Sequence, residues 1–189
     1  MKAGVRALGV AESYGGDDDR GRSVLGGAVV RADRVADGFA FEACRVGGTD
    51  ATDAIESLFA DLNRDDVQYV LVSGIAPAWF NVVDLRALHE SLGRPVLSVS
   101  FETSQGLEAA LREQFSGAAL QRRLETYRAQ PERQRVAVDD ETVFVRAVGV
   151  DPDRATDVVR AFTPEGGRPE PLRVARLAAR AAREWMADS

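Results

Sequence analysis

Hydrophobic positions change period several times along the chain, and each change marks an element. Val70, Leu71 and Val72 form an apolar run closed by Ser73-Gly74, the pattern of a strand buried on both faces. After a loop carrying Pro77, the positions Val82, Val83, Leu85, Leu88 and Leu92 recur at helical spacing, with Asn81 placed to cap the helix. Gly93 stops that helix, and residues 95–99 begin a second buried strand. Strand, helix and strand in this order predict a βαβ unit with adjacent parallel strands. Upstream, residues 4–11, 23–31 and 38–46 read as strands in an antiparallel meander. In the last of them Phe39, Phe41 and Ala43 alternate with Ala40, Glu42 and Cys44, as in a half-exposed strand. Residues 50–62 place Ala54, Leu58 and Leu62 on one helical stripe beside Ile55, with Thr49 or Asp50 as cap and Asp53 favoured in the first turn by the helix dipole.

Downstream, the pattern predicts helices over 102–115 and 117–128. An exposed strand pair turns at Asp139-Asp140, and a helix runs from Asp151-Pro152 to Phe162 with proline at its first position. In the last helix, 172–186, the positions Leu172, Ala175, Ala179, Ala182 and Met186 should face the core. Arg173, Arg176, Arg180 and Arg183 form a second stripe that could track phosphates, though it is read first as a solvated face or as intrahelical pairs with Glu170 and Glu184. The glycine-rich acidic stretch 14–22 reads as a mobile loop. The 189 residues suit one domain, with 130–189 as an extension packed on the core.

Charge adds a constraint. There are 30 acidic residues against 24 basic ones, and Lys2 is the sole lysine, leaving 24 minus 1, or 23, arginines. Acidic excess with almost no lysine is the composition of a protein adapted to high salt. At molar salt the Debye length is roughly 3 Å, so a net charge of −6 does not exclude a nucleic-acid partner. Arginine's planar fork suits the close phosphate contacts that survive such screening. No apolar run reaches membrane-spanning length and no signal-peptide pattern is present, so a soluble, cytoplasmic protein with no membrane partner is expected. The single cysteine, Cys44, excludes an internal disulfide framework and a cysteine-cluster zinc site, and its apolar neighbours predict a buried thiol.

Three antiparallel strands, a helix, then two parallel strands separated by a helix give the order β-β-β-α-β-α-β of a ribonuclease-H-like α/β fold, here with further C-terminal helices and a short hairpin. In open α/β sheets ligands gather beyond the carboxyl ends of the strands. Glu12 ends the first strand, Asp50 and Asp53 open the following helix, Asp84 starts the helix after the fourth strand, and Glu102 ends the fifth. Carboxylates clustered at one edge repel unless a cation sits among them. Glu12, Asp53, Asp84 and Glu102 are therefore candidate ligands for Mg²⁺ or Mn²⁺, which would activate water for phosphodiester attack. Asp50 and Asp53 are equally good helix-start residues with no chemistry attached. Ser73, Asn81 and the loop aromatics Trp79 and Phe80 are candidate substrate contacts, since such rings stack on bases. The same rings also suit packing on their own domain or on a homodimer partner. His89 is offset from the leucine face of its helix and should face solvent. Neither glycine pair, Gly15-Gly16 or Gly47-Gly48, fits a phosphate-loop pattern.

The segments VRALGVAES, SVLGGAVVR, VGGTDATDAI, VLVSGIAPAWFNVVDL and PEPLRVARLAAR resemble an archaeal family associated with the name endonuclease dU and related to endonuclease V. The resemblance spans nearly the whole chain. It implies a ribonuclease-H-like fold and a repair nuclease that cuts DNA containing deoxyuridine. In endonuclease V one acid ends the first strand, a second lies at the following helix start, and an aspartate ends the next strand. Glu12 matches the first position, and Asp53 the second with Asp50 as its neighbour. The third falls on Ser73, so Glu102 or Asp84 would have to supply the missing carboxylate, or the chain is a non-catalytic nucleic-acid-binding protein on a nuclease fold.

Overall fold

The computed structural model describes residues 1–14, 21–164 and 166–187. The acidic stretch expected to form a loop lies largely outside these residues.

The meander forms as expected from β1 (Arg6–Ser13), β2 (Arg22–Arg31) and β3 (Ala36–Arg45), with both pairings antiparallel. Helix α1 (Ala51–Leu62) leads to β4 (Val67–Ser73), which lies parallel to β1. A one-turn element, α2 (Pro77–Phe80), precedes helix α3 (Leu85–Leu92), and β5 (Val96–Ser100) then pairs in parallel with β4. The strand order β3-β2-β1-β4-β5 is the expected ribonuclease-H-like arrangement.

After α4 (Glu108–Gln114) and α5 (Gly117–Arg128), the hairpin of β6 (Gln134–Val138) and β7 (Glu141–Val148) departs from expectation. It does not stand exposed beside the core. β7 pairs antiparallel with β5 and extends one sheet to seven strands. Val136, Val138, Val143 and Val145 are buried there against α6 (Pro152–Ala161). Alternating valines on two strands supply an apolar face, and the open edge of β5 supplies the ladder that uses it.

Alternation divides the core. Leu8 and Val10 of β1 pack toward α1 and α3, whereas Ala7 faces α6 and the start of α7 (Glu170–Ala187). Helix α7 lies close to the sheet because glycine and alanine meet there. A Cβ on Gly9 would come within 2.2 Å of the Pro171 carbonyl, and one on Gly26 within 2.7 Å of the Ala175 carbonyl oxygen. Leu172, Ala175 and Ala179 are buried as expected, but Met186 at the end of the stripe is 58% exposed. Among the described residues no helix is long and apolar enough to cross a membrane.

Four local expectations are corrected. α4 starts at Glu108, because the chain before it bends through Gly106 at φ 109°. Asp84 rather than Asn81 caps α3, its Oδ1 accepting from the Arg86 and Ala87 amides at 3.0 and 3.1 Å. Asp50 stands at the cap position of α1 but makes no side-chain capping bond. His89 is half-buried, with Nδ1 2.8 Å from the Arg94 carbonyl oxygen and its ring against Gly149, where a Cβ would lie 2.4 Å from Cε1.

Candidate active site at the carboxyl ends of β1 and β4

Glu12 is held from two directions. Its Oε2 accepts from the Ser23 hydroxyl of β2 at 3.0 Å and from the Ala78 amide at 2.5 Å. Ala78 belongs to an unusual turn. Ala78, Trp79 and Phe80 all have positive φ, at 47°, 56° and 63°, although none is glycine. Each such residue costs of order 1–3 kcal/mol, and such strain persists only where surrounding contacts impose it.

Those contacts are present. The Gly47 amide donates to the Ala78 carbonyl oxygen at 2.7 Å. Trp79 lies on Gly47, where a Cβ would stand 2.8 Å from the indole, so a side chain there would displace the ring. Trp79, Phe80 and Phe115 form an aromatic cluster, with Trp79 still 49% exposed. Arg123 of α5 is buried beneath it. Its guanidinium donates to the carbonyl oxygens of Gly47, Gly48, Phe80 and Ala119 and stacks over Phe115 at 3.9 Å. Burial pulls its pKa below the ordinary arginine value.

Asn81, fully buried, ties the same turn to α1. Its Nδ2 donates to the Arg45 carbonyl oxygen at 2.9 Å and to Asp50 Oδ1 at 2.7 Å, and its Oδ1 accepts from the Ala51 amide at 2.9 Å. Asn81 thus caps a helix other than its own neighbour. Asp50 also accepts from the Arg45 amide at 3.1 Å. Buried Cys44 lies within the fields of both Asp50 and Glu12. Burial first, then these two carboxylates, push its thiol up to about 12, as expected for a buried structural thiol.

The acids expected to gather around one cation are separated. Glu12 and Ser73 line one recess at the sheet's end. Asp53 and Asp84 line another, with Thr52, Arg122 and Arg123. Glu102 opens on a third, with Ser100, Tyr127 and Arg133. Alternation places Glu12 on the side of Leu8 and Val10, and Ser73 on the opposite side with Leu71. Among the described residues no three His, Cys, Asp or Glu side chains are gathered to hold a metal ion. Neither Asp84 nor Glu102 supplies the carboxylate absent at Ser73. The residues present therefore do not fit a divalent cation held by protein ligands alone: Glu12 is committed to two donors, Asp50 to backbone and Asn81, and Asp84 to its helix.

Sequence reasoning missed two groups here. Arg123 carries no signal, because an arginine in an amphipathic helix reads as surface. The arginines of α7 are legible as a stripe, but their place is not. Arg176, Arg180 and Arg183 line the Glu12 recess.

Comparison with known proteins bears on the family and the fold. A UPF0215 protein of Pyrobaculum aerophilum is 34% identical over 181 residues, covering 95% of each chain. A crystal structure of a protein of unknown function from Archaeoglobus fulgidus superposes with a TM-score of 0.81 at 23% identity, covering 94% of this chain and 98% of that one. Ciona intestinalis endonuclease V, solved with DNA containing an inosine, gives a TM-score of 0.64 at 12% identity over 96% of this chain and 87% of the other. The family model described as endonuclease dU matches residues 3–183, so the chain belongs to the endonuclease dU family.

Proposed function

We propose that the protein is a DNA repair endonuclease that hydrolyses the backbone of deoxyuridine-containing, deaminated DNA at the Glu12 recess. Family membership supports the nuclease class. One observation carries the placement: a strained left-handed turn delivers its first amide to Glu12 and leaves the next residue, Trp79, half-exposed. Strain of this kind concentrates at functional sites. A base drawn out of the duplex stacks on the indole, and its phosphodiester lies beside Glu12. Glu12 orients a water and accepts its proton as the water oxygen attacks phosphorus; the bond from phosphorus to the sugar oxygen breaks, and that oxygen takes a proton from solvent to leave as a hydroxyl. Glu12 is the catalytic residue of this reading, and Asp50 and Asn81 position its turn. Mg²⁺ or Mn²⁺, which the resemblance implies, would draw most of its ligands from substrate phosphates and water.

The test is nicking of a labelled duplex carrying one uracil, one hypoxanthine or no lesion, in EDTA, Mg²⁺ or Mn²⁺ at high salt. Cleavage of the uracil duplex that Glu12→Gln removes supports the reading. Equal cleavage by wild type and Glu12→Gln overturns it. Ser73, standing where the family relationship to endonuclease V implies an aspartate, favours a second reading: a non-catalytic nucleic-acid-binding protein on a nuclease fold. Retention of DNA with no product in any metal would select it.

A further inference from the structure

We infer that Arg176, Arg180 and Arg183 of α7, together with Ser73, form a seat for a phosphodiester of the nucleic-acid backbone. The inference rests on the reading of the Glu12 recess as the place where DNA is met.

The seat is built by close packing. Gly9 and Gly26 admit Pro171, Ala175 and Ala179 to the sheet surface at distances that any side chain would block. Arg176 and Arg180 follow buried Ala175 and Ala179 by about 100° of helical turn and Arg183 follows half-buried Ala182, so the three overhang the ends of β1 and β4. They share a recess of about 470 Å³ with Glu12, Ser13 and Ser73, a volume within the range of ligand clefts. Ser73 adds a hydroxyl on the face where α7 lies.

The arginine stripe is not uniform. Arg173 is held by Glu170 through two hydrogen bonds at 2.6 and 2.7 Å. Arg180 pairs with Glu184 at 2.8 Å while its side chain stays 70% exposed. Arg183 is only 25% exposed and reaches Glu184 at 3.9 Å, and its Nε is buried without a hydrogen-bond partner among the described residues. Arg176 pairs with no carboxylate among the described residues. Glu12 takes its donors from Ser23 and Ala78 and makes no ion pair with any of the three. Among the described residues, the three guanidinium groups thus stand at one end of the sheet with Glu12 and Glu184 as neighbouring carboxylates, and only Glu184 pairs with any of them. Forked guanidinium groups suit a phosphodiester better than a point charge does.

Fluorescence anisotropy with an undamaged labelled duplex, in EDTA and at stepped salt, tests the seat without requiring cleavage. The double variant Arg176→Gln/Arg183→Gln should bind at least about tenfold more weakly, and its salt slope should fall by roughly one for each phosphate no longer neutralised. Arg173→Gln, outside the recess, should bind like the wild type, and Arg183→Lys should recover part of the affinity. Pyrophosphate that competes equally with wild type and double variant would place phosphate binding elsewhere than on these arginines and overturn the proposal. Unchanged affinity and slope in a double variant with wild-type circular dichroism would also overturn it. Binding that depends on these arginines in a chain that never nicks uracil DNA would leave the seat standing and remove the nuclease reading.

Discussion

Two of the recesses in which acids and arginines meet are built on different terms. In the recess of Asp53 and Asp84, the acids serve their own helices. Asp84 caps α3 through two amides, and Asp53 lies exposed in the first turn of α1. In the recess of Glu12, the acid is held by groups far away in sequence: Ser23 from β2 and Ala78 from a left-handed turn. The first arrangement follows from helix electrostatics alone. The second needs strain at Ala78, Trp79 and Phe80, a glycine at 47 to receive the indole, and a buried Arg123 to hold the carbonyls. Costly geometry separates a site from a cap more reliably than the presence of a carboxylate does.

The largest expected effect sits on this contrast. Glu12→Gln should lower nicking of uracil DNA at least about a hundredfold, the usual worth of a positioned acid–base group, whereas Asp53→Asn should leave it within about twofold. Gel assays at matched protein concentration decide it, and an inactive Asp53→Asn would break the comparison. Asn81→Ala should be the costliest for stability. It strands the Ala51 amide and takes one donor from the Asp50 carboxylate, a destabilisation of about 3 kcal/mol and roughly 6–12 °C in thermal melts.

Asp84→Ala should cost only about 1 kcal/mol, the value of a helix cap, with nicking unchanged. An inactive Asp84→Ala would mean that the second recess does more than end a helix. A further effect concerns pH. The Cys44 thiol titrates near 12 when folded against an ordinary value of 9.0. Between those values the native state holds more protons than the unfolded one, so stability falls as pH rises through the window. The slope from this group is at most about 1.4 kcal/mol per pH unit. Melts between pH 8 and 10.5 should fall less steeply for Cys44→Ala than for the wild type.

Much of the architecture is readable in the sequence because it depends on local periodicity. Val70–Val72 predict a doubly buried strand, the Phe39/Ala40 alternation a half-exposed strand, and the leucines after Val83 a helix. The place of the hairpin is not readable, because residues 134–148 state that two strands exist and not which open edge they join. Asn81 reads as a cap because it precedes a helical pattern, yet its side chain caps α1, brought beside it by the parallel pairing of β1 and β4.

By itself, then, the sequence determined the elements, their order and the position of Glu12 at a strand's end, since these follow from side-chain period and backbone preference over a few residues. Tertiary structure alone decided which charges meet. It separated Glu12 from Asp53, Asp84 and Glu102, buried Arg123 under the aromatic turn, and laid the arginines of α7 over the Glu12 recess. The reason is physical: a charge's partners are set by sheet register and by how closely a helix can approach, and here two glycines and a stripe of alanines allowed α7 to lie against the sheet.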